Sequence, residues 1–106
     1  MSDKKDTLGK WPESVRAAFK ELDAVLPVVQ RVHGGAHPEL EKVGRLVGDL
    51  QAGLSEGNDR KKLCEILDRL RKVTGGYTVP SDACGGFQKE YRLLSQIDAG
   101  IRTKVE

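Results

Sequence analysis

Aromatic residues are scarce. One Trp, two Tyr and two Phe make up 5% of the 106 residues, so any core must be aliphatic; Val, Leu and Ile recur throughout. Two cysteines are too few for a disulfide framework. No stretch approaches the roughly 18 apolar residues of a membrane span, which argues against a membrane protein. No apolar run follows Met1-Ser2-Asp3-Lys4-Lys5-Asp6, so no secretory signal is read and a cytoplasmic location is expected. There is no sustained period-two alternation and no Asn-Gly hairpin turn, which removes the usual strand signals. A Walker loop, a Gly-x-Gly-x-x-Gly run, a nucleophile elbow and a Cys-x-x-Cys pair are all missing. No catalytic residue is assigned, and the chain reads as leaning away from an enzyme. A strong charge of one sign is lacking too. Residues 1–56 carry 8 basic and 9 acidic side chains, residues 57–106 carry 10 and 7, and the sum is +2. The second half is mildly basic, well short of the stripe of a dedicated nucleic-acid binder.

What is present is helical periodicity. Residues 1–10 are polar, without period, and read as a disordered leader; residues 11–106 read as a single domain. Helix 1 begins near Trp11-Pro12-Glu13, where proline suits a first turn because its missing N–H would be unpaired anyway. Val15, Phe19, Leu22, Leu26, Val29 and His33 follow at spacings of four and three, on one helix face. Pro27 is expected to kink this helix without ending it, because the period resumes in phase; Gly34-Gly35 ends it. Helix 2 starts near His37-Pro38-Glu39 and carries Leu40, Val43, Val47, Leu50 and Leu54. Gly44 and Gly48 share a face, explained either by close approach of a neighbouring helix or by simple tolerance. Ser55-Glu56-Gly57-Asn58 forms the next turn, with Asn58 or Asp59 as N-cap. Helix 3 carries Leu63, Ile66, Leu67, Leu70 and Val73 and ends at Thr74-Gly75-Gly76. After an extended connector, Ser81 is expected to cap helix 4, whose stripe is Phe87, Tyr91, Leu94, Ile97, Ile101 and Val105. Short connections between four amphipathic helices favour antiparallel neighbours, so the expected fold is all-α, an up-down four-helix bundle.

That topology sends His33, His37, Tyr77, Asp82 and Cys84 to one end of the bundle. Both imidazoles and one thiol could form a His-His-Cys metal site, with Asp82 or Glu39 nearby. Gly34 and Gly35 lie between the histidines, and in the simpler alternative His33 packs at a helix end while His37 bonds the turn. Cys64 belongs near the other end, on the order of 20 Å from Cys84 for a helix of about 15 residues, too far for a bridge. Arg60-Lys61-Lys62 and Arg69, Arg71, Lys72 are the densest basic stretches. Glu65 and Asp68 lie among them, which favours a solvated, salt-bridged face over a phosphate site.

Three stretches resemble the hemerythrin-like domain of the iron–sulfur cluster repair family, di-iron proteins associated with nitrosative and oxidative stress. They are Val32-His33-Gly34-x-x-His37-Pro38-Glu39-Leu40, preceded by Leu26-Pro27; Leu70-Arg71-x-Val73-Thr74-x-Gly76-Tyr77-x-x-Pro80-x-Asp82-Ala83-Cys84; and the helix that follows. Together they cover most of residues 20–106, and the second is the most specific because it keeps an odd loop. The resemblance implies a hemerythrin-like bundle and a structural joint through Pro38, Tyr77 and Pro80. It also implies iron ligands that this sequence does not supply. The first-helix histidine position falls around Trp11-Pro12, the third-helix position near Arg60 and the fourth near Lys104, and the second helix stops near Leu54, short of its ligand pair. Cations at such positions oppose bound iron.

The chain is therefore read as a shortened, metal-free relative with no cofactor, acting through a protein partner or self-association, in iron or redox stress. Its alternatives are an iron- or zinc-binding protein using His33, His37, Cys84 and Asp82, and, more weakly, a nucleic-acid module using Arg60, Lys61 and Lys62.

Overall fold

The computed structural model describes residues 11–57, 59–81, 83 and 85–105. Among them there are four helices and no strand: α1 (Glu13–His33), α2 (Glu39–Glu56), α3 (Arg60–Thr74) and α4 (Gly85–Val105). This is the all-α four-helix bundle that the apolar spacing predicts. The proposed leader, Asn58, Asp82, Cys84 and Glu106 lie outside the described residues.

Helix boundaries follow local chemistry. The Pro12 carbonyl accepts from the Val15 and Arg16 N–H groups at 3.0 and 3.1 Å, which opens α1. Pro27 stays inside that helix and points to solvent. At α3 the Asp59 carboxylate accepts the Lys62 N–H at 3.0 Å, satisfying a first-turn donor that has no partner within the helix. Helix 2 runs two residues beyond Leu54 and closes on Gly57 at φ 75°, a conformation that costs glycine little. Helix 4 differs from the expectation. Ser81 sits in a turn in which the Ala83 N–H donates to the Pro80 carbonyl at 3.1 Å, and the helix starts at Gly85. The shortness of α3, only 15 residues, explains the difference: the connector must run along the bundle before α4 can begin.

The helices pack unequally. α1 lies mainly against α4 and α2 against α3, while α1–α2 and α3–α4 touch over much less. The apolar stripes meet in one core built around Phe19, Leu22, Leu50, Leu67, Phe87 and Ile97, with Leu46 and Leu93 added from outside the expected stripes. Two acidic residues, Glu90 and Asp98, are buried with them.

The glycines divide by environment. Gly44 is filled by the Gln30 side chain, whose amide also donates to the Leu40 carbonyl at 3.1 Å and links α1 to α2. Gly48 faces open space, so close approach explains Gly44 but not Gly48. Gly100 is where α4 meets α1: a methyl group there would lie 2.5 Å from Val15 Cγ2, a branched and buried side chain with little freedom to move. Gly48→Ala should therefore stabilise the protein by up to about 1 kcal/mol through helix propensity. Gly100→Ala should lose that gain to overpacking and come out destabilised by about 1–2 kcal/mol. Urea unfolding midpoints of the two variants, moving in opposite directions, would check this.

Candidate functional site

The last turn of α1 and the turn before α2 bring the two histidines to one aromatic ring. The His33 carbonyl accepts from the Ala36 and His37 N–H groups at 3.1 and 2.9 Å, which folds the chain back immediately after the helix. Phe87, in the first turn of α4, meets His33 edge-on at a centroid distance of 5.4 Å and His37 at 5.1 Å; Tyr91 also meets Phe87 edge-on, at 5.1 Å. Such edge-to-face contacts contribute about 1 kcal/mol each beyond burial. His37 Nδ1 lies 3.1 Å from Glu39 Oε2, so the imidazole is oriented by a carboxylate from the start of α2. Two imidazoles and a carboxylate are chemically suited to a borderline metal such as zinc. Among the described residues, however, no three His, Cys, Asp or Glu side chains converge as a metal-binding group. Cys84 and Asp82, the remaining members of the expected set, lie outside the described residues.

Tyr77 does not join this end. Its hydroxyl donates to Asp98 Oδ2 at 2.6 Å, eleven residues along α4 from Phe87, or about 16 Å at the helical rise. The loop that delivers it is unusual. Gly75, Gly76 and Tyr77 all have positive φ, at 62°, 74° and 65°, and Tyr77 is the one with a Cβ to crowd. A left-handed conformation costs such a residue about 1–2 kcal/mol. Two anchors offset that: the hydroxyl bond to Asp98, and the Tyr77 N–H donating to Thr74 Oγ1 at 2.9 Å. The Thr74 hydroxyl in turn donates to the Leu70 carbonyl at 2.7 Å, which ties the loop to the last turn of α3.

Asp98 is only 2% exposed and accepts from three residues. Arg71 of α3 grips both oxygens, Nε to Oδ2 and Nη2 to Oδ1, each at 2.9 Å. Arg102, one turn further along α4, donates from Nε to Oδ1 at 2.6 Å and from Nη2 to Asp68 of α3 at 2.7 Å. Burial pulls the Asp98 carboxyl upward, but the bonds from Arg71, Tyr77 and Arg102 outweigh it and hold the group below its ordinary value. The same burial and bonding raise Tyr77, so the phenol remains a donor.

Glu90 is the opposite case. It is fully buried, and neither carboxylate oxygen has a hydrogen-bond partner. Burial alone pushes its pKa up from 4.5 to about 7. Tyr91 beside it is pushed up to about 12, by burial first and then by the charges of Glu39 and Glu90.

The remaining expected residues are scattered. Arg60, Lys61 and Lys62 are exposed at the start of α3. Arg60 and Lys61 border a shallow depression of about 450 Å³ that also holds Glu65, Asp68 and Arg102, and its carboxylates weaken any attraction for phosphate. Cys64, on the same helix, is half-buried and free. Pro38 stands exposed immediately before α2, and Pro80 is half-buried in the connector.

Spacing did not single out Asp98, Arg71, Arg102 or Glu90, although part of the signal was there. Glu90 falls three residues after Phe87 and four before Leu94, and Asp98 four after Leu94, so both carboxyls occupy stripe positions of α4.

Comparison with known proteins gives a distant match. The chain is 22% identical over 120 aligned positions to the iron–sulfur cluster repair protein ScdA from each of two strains of Staphylococcus epidermidis, covering 83% of this chain and 54% of the relative. The chain thus spans about half the length of the curated relatives it matches. No known family matches it in a scan of family signatures, and no solved structure matches it.

The two buried carboxyls lead to opposite expectations. Asp98→Asn should destabilise by about 3 kcal/mol, because two guanidinium groups lose their shared anion. Tyr77→Phe, which leaves both arginines paired, should cost nearer 1 kcal/mol. Denaturant unfolding of the two variants would check that order. For Glu90 the folded pKa lies above the unfolded one, so its stability contribution is complete below about pH 4.5 and is lost as pH rises through 7. Unfolding free energy should therefore fall between about pH 5 and pH 8, by on the order of 3 kcal/mol. Glu90→Leu should flatten that slope and be the more stable protein at pH 8; an unchanged slope would show that another group titrates.

Proposed function

We propose that this chain is a non-catalytic helical-bundle protein that works by contact with another protein, in the cytoplasm, during iron or nitrosative and oxidative stress. The distant similarity to iron–sulfur cluster repair proteins supports the stress setting. The observation that carries the non-catalytic reading concerns Arg60 and Lys104, which stand where the family resemblance calls for iron-binding histidines. Both are exposed on the outside of the bundle, so neither supplies an interior ligand, and the expected opposition of their charges to iron in the interior loses its basis. Contact as the mode of action draws support from Val28 and Val32, one turn apart on α1 and 46% and 63% exposed. No described helix is long and apolar enough to cross a membrane.

A second reading has its own support. His33 and His37 meet at Phe87 with Glu39 beside them, and with Cys84 and Asp82 they would form a zinc or iron site.

Metal analysis of untagged protein from iron- and zinc-supplemented medium separates the two, combined with photo-crosslinking residues placed singly at Val32, Arg69 and Lys104 in stressed cells. The contact reading expects well under one metal per chain and a discrete protein crosslink from at least one position. About two irons per chain, as in a di-iron carboxylate bundle, or no crosslink from any position, would overturn it. About one zinc per chain, lost in His33→Ala with the fold intact, would establish the second reading.

A further inference from the structure

The outer face of the α2–α3 pair carries a groove of about 300 Å³ whose walls are mostly carbon, floored by Leu46 and Val73. Its rim is cationic: Lys42 and Arg45 stand along α2, Arg69 and Lys72 along α3, against a single carboxylate, Asp49. Arg45 is already paired with Glu41 at 2.7 Å. Among the described residues Lys42, Arg69 and Lys72 enter no ion pair, although other basic residues of the bundle do. Three uncommitted cations around an apolar floor are therefore held in place by two packed helices. Residues 42 to 49 span about 10 Å along α2, roughly two turns of a docked helix.

We infer that this groove is a docking site for an acidic amphipathic helix of a partner protein, with an aliphatic side chain seated on Leu46 and Val73 and carboxylates facing Lys42, Arg69 and Lys72. The inference rests on the contact reading above and adds to it the surface and the chemistry of the partner. An apolar face laid into a hydrophobic groove supplies the affinity. The charged rim supplies encounter rate and the choice of partner.

Two other occupants fit less well. A second copy of this chain would have to present Val28 and Val32, beside which the exposed Arg31 would meet a rim of the same sign, or Val79, which lies in the connector and offers no helix to the groove. A nucleic-acid backbone would use the cations and leave the apolar floor of Leu46 and Val73 unfilled.

The test uses the full chain and a labelled helical peptide of about five turns, with Leu at every third or fourth position and Glu at most others. Its controls are a scrambled peptide of the same composition and a single-stranded oligonucleotide. Fluorescence anisotropy should show saturable binding of the amphipathic peptide, at least about tenfold tighter than the scrambled one. Added salt should weaken it, and so should the double variant Lys42→Glu, Lys72→Glu, again by about tenfold or more. Both positions are exposed, so the variant should unfold like the parent protein. Lys42→Gln, Lys72→Gln should give an intermediate loss without introducing new repulsion. Equal binding of the scrambled peptide, tighter binding of the oligonucleotide, no binding, or indifference to both double variants would overturn the inference. A crosslink from Val32 with none from Arg69 would overturn it too while leaving the contact reading in place; no crosslink from any position removes the contact reading itself.

Discussion

Asp98 holds together parts of the bundle that otherwise touch little. The helices pack as two broad pairs, α1 with α4 and α2 with α3, and the contact between α3 and α4 is narrow. Across it a single buried carboxylate accepts from Arg71 of α3, from Tyr77 of the connector and from Arg102 of α4, and Arg102 carries the network on to Asp68. Taking a carboxylate out of water costs several kcal/mol unless its lone pairs are filled. Here four N–H and O–H donors fill them. Such a junction contributes little net stability, and its donors come together from α3, the connector and α4.

The odd loop after α3 follows from that requirement. A short third helix leaves the chain far from the start of α4, and the phenol of Tyr77 must turn back to reach the middle of α4. Three successive left-handed residues make the turn. The Thr74 hydroxyl fixes it from below, and Asp98 fixes it from above. The strain at Tyr77 persists because both ends of the residue are held.

Glu90 and Asp98 lie on the same helix, both buried, and their protons respond in opposite directions. The difference is partners alone: one carboxyl has a set of donors and stays charged, the other has none and is driven toward its neutral form. The described interior is thus apolar apart from Thr74 and two carboxyls with a structural consequence. Among the described residues, two places present chemistry outward: the histidine pair around Phe87 and the cation-rimmed groove between α2 and α3. They differ in what they can recognise. The first offers nitrogen and carboxylate donors, the second apolar surface and positive charge.

Much of the architecture was legible in the amino-acid sequence. The spacings Val15–Phe19–Leu22–Leu26–Val29 and Leu63–Leu67–Leu70 define buried stripes because 3.6 residues per turn leaves no other face for them. Asp59, one of the two expected caps, and the glycines that close α2 and α3 follow from local backbone chemistry, whereas Pro27 inside α1 follows from the apolar period that resumes beyond it. The start of α4 did not, because the capping preference of Ser81 is a local signal and the path of the connector is set by how far α3 reaches. Neither did the separation of Tyr77 from His33 and His37. Chain order sends them to one end, but a hydrogen bond to a carboxylate in the middle of α4 decides where the phenol goes. Glu90 and Asp98 carried a sequence signal, acids at apolar spacing, whose meaning depended on what stood opposite. Composition and period fixed most of the buried aliphatic residues and the helices that carry them, but not Leu46 or Leu93. Only the tertiary structure decided which buried charge is satisfied, because a donor on another helix leaves no trace in the sequence around its acceptor.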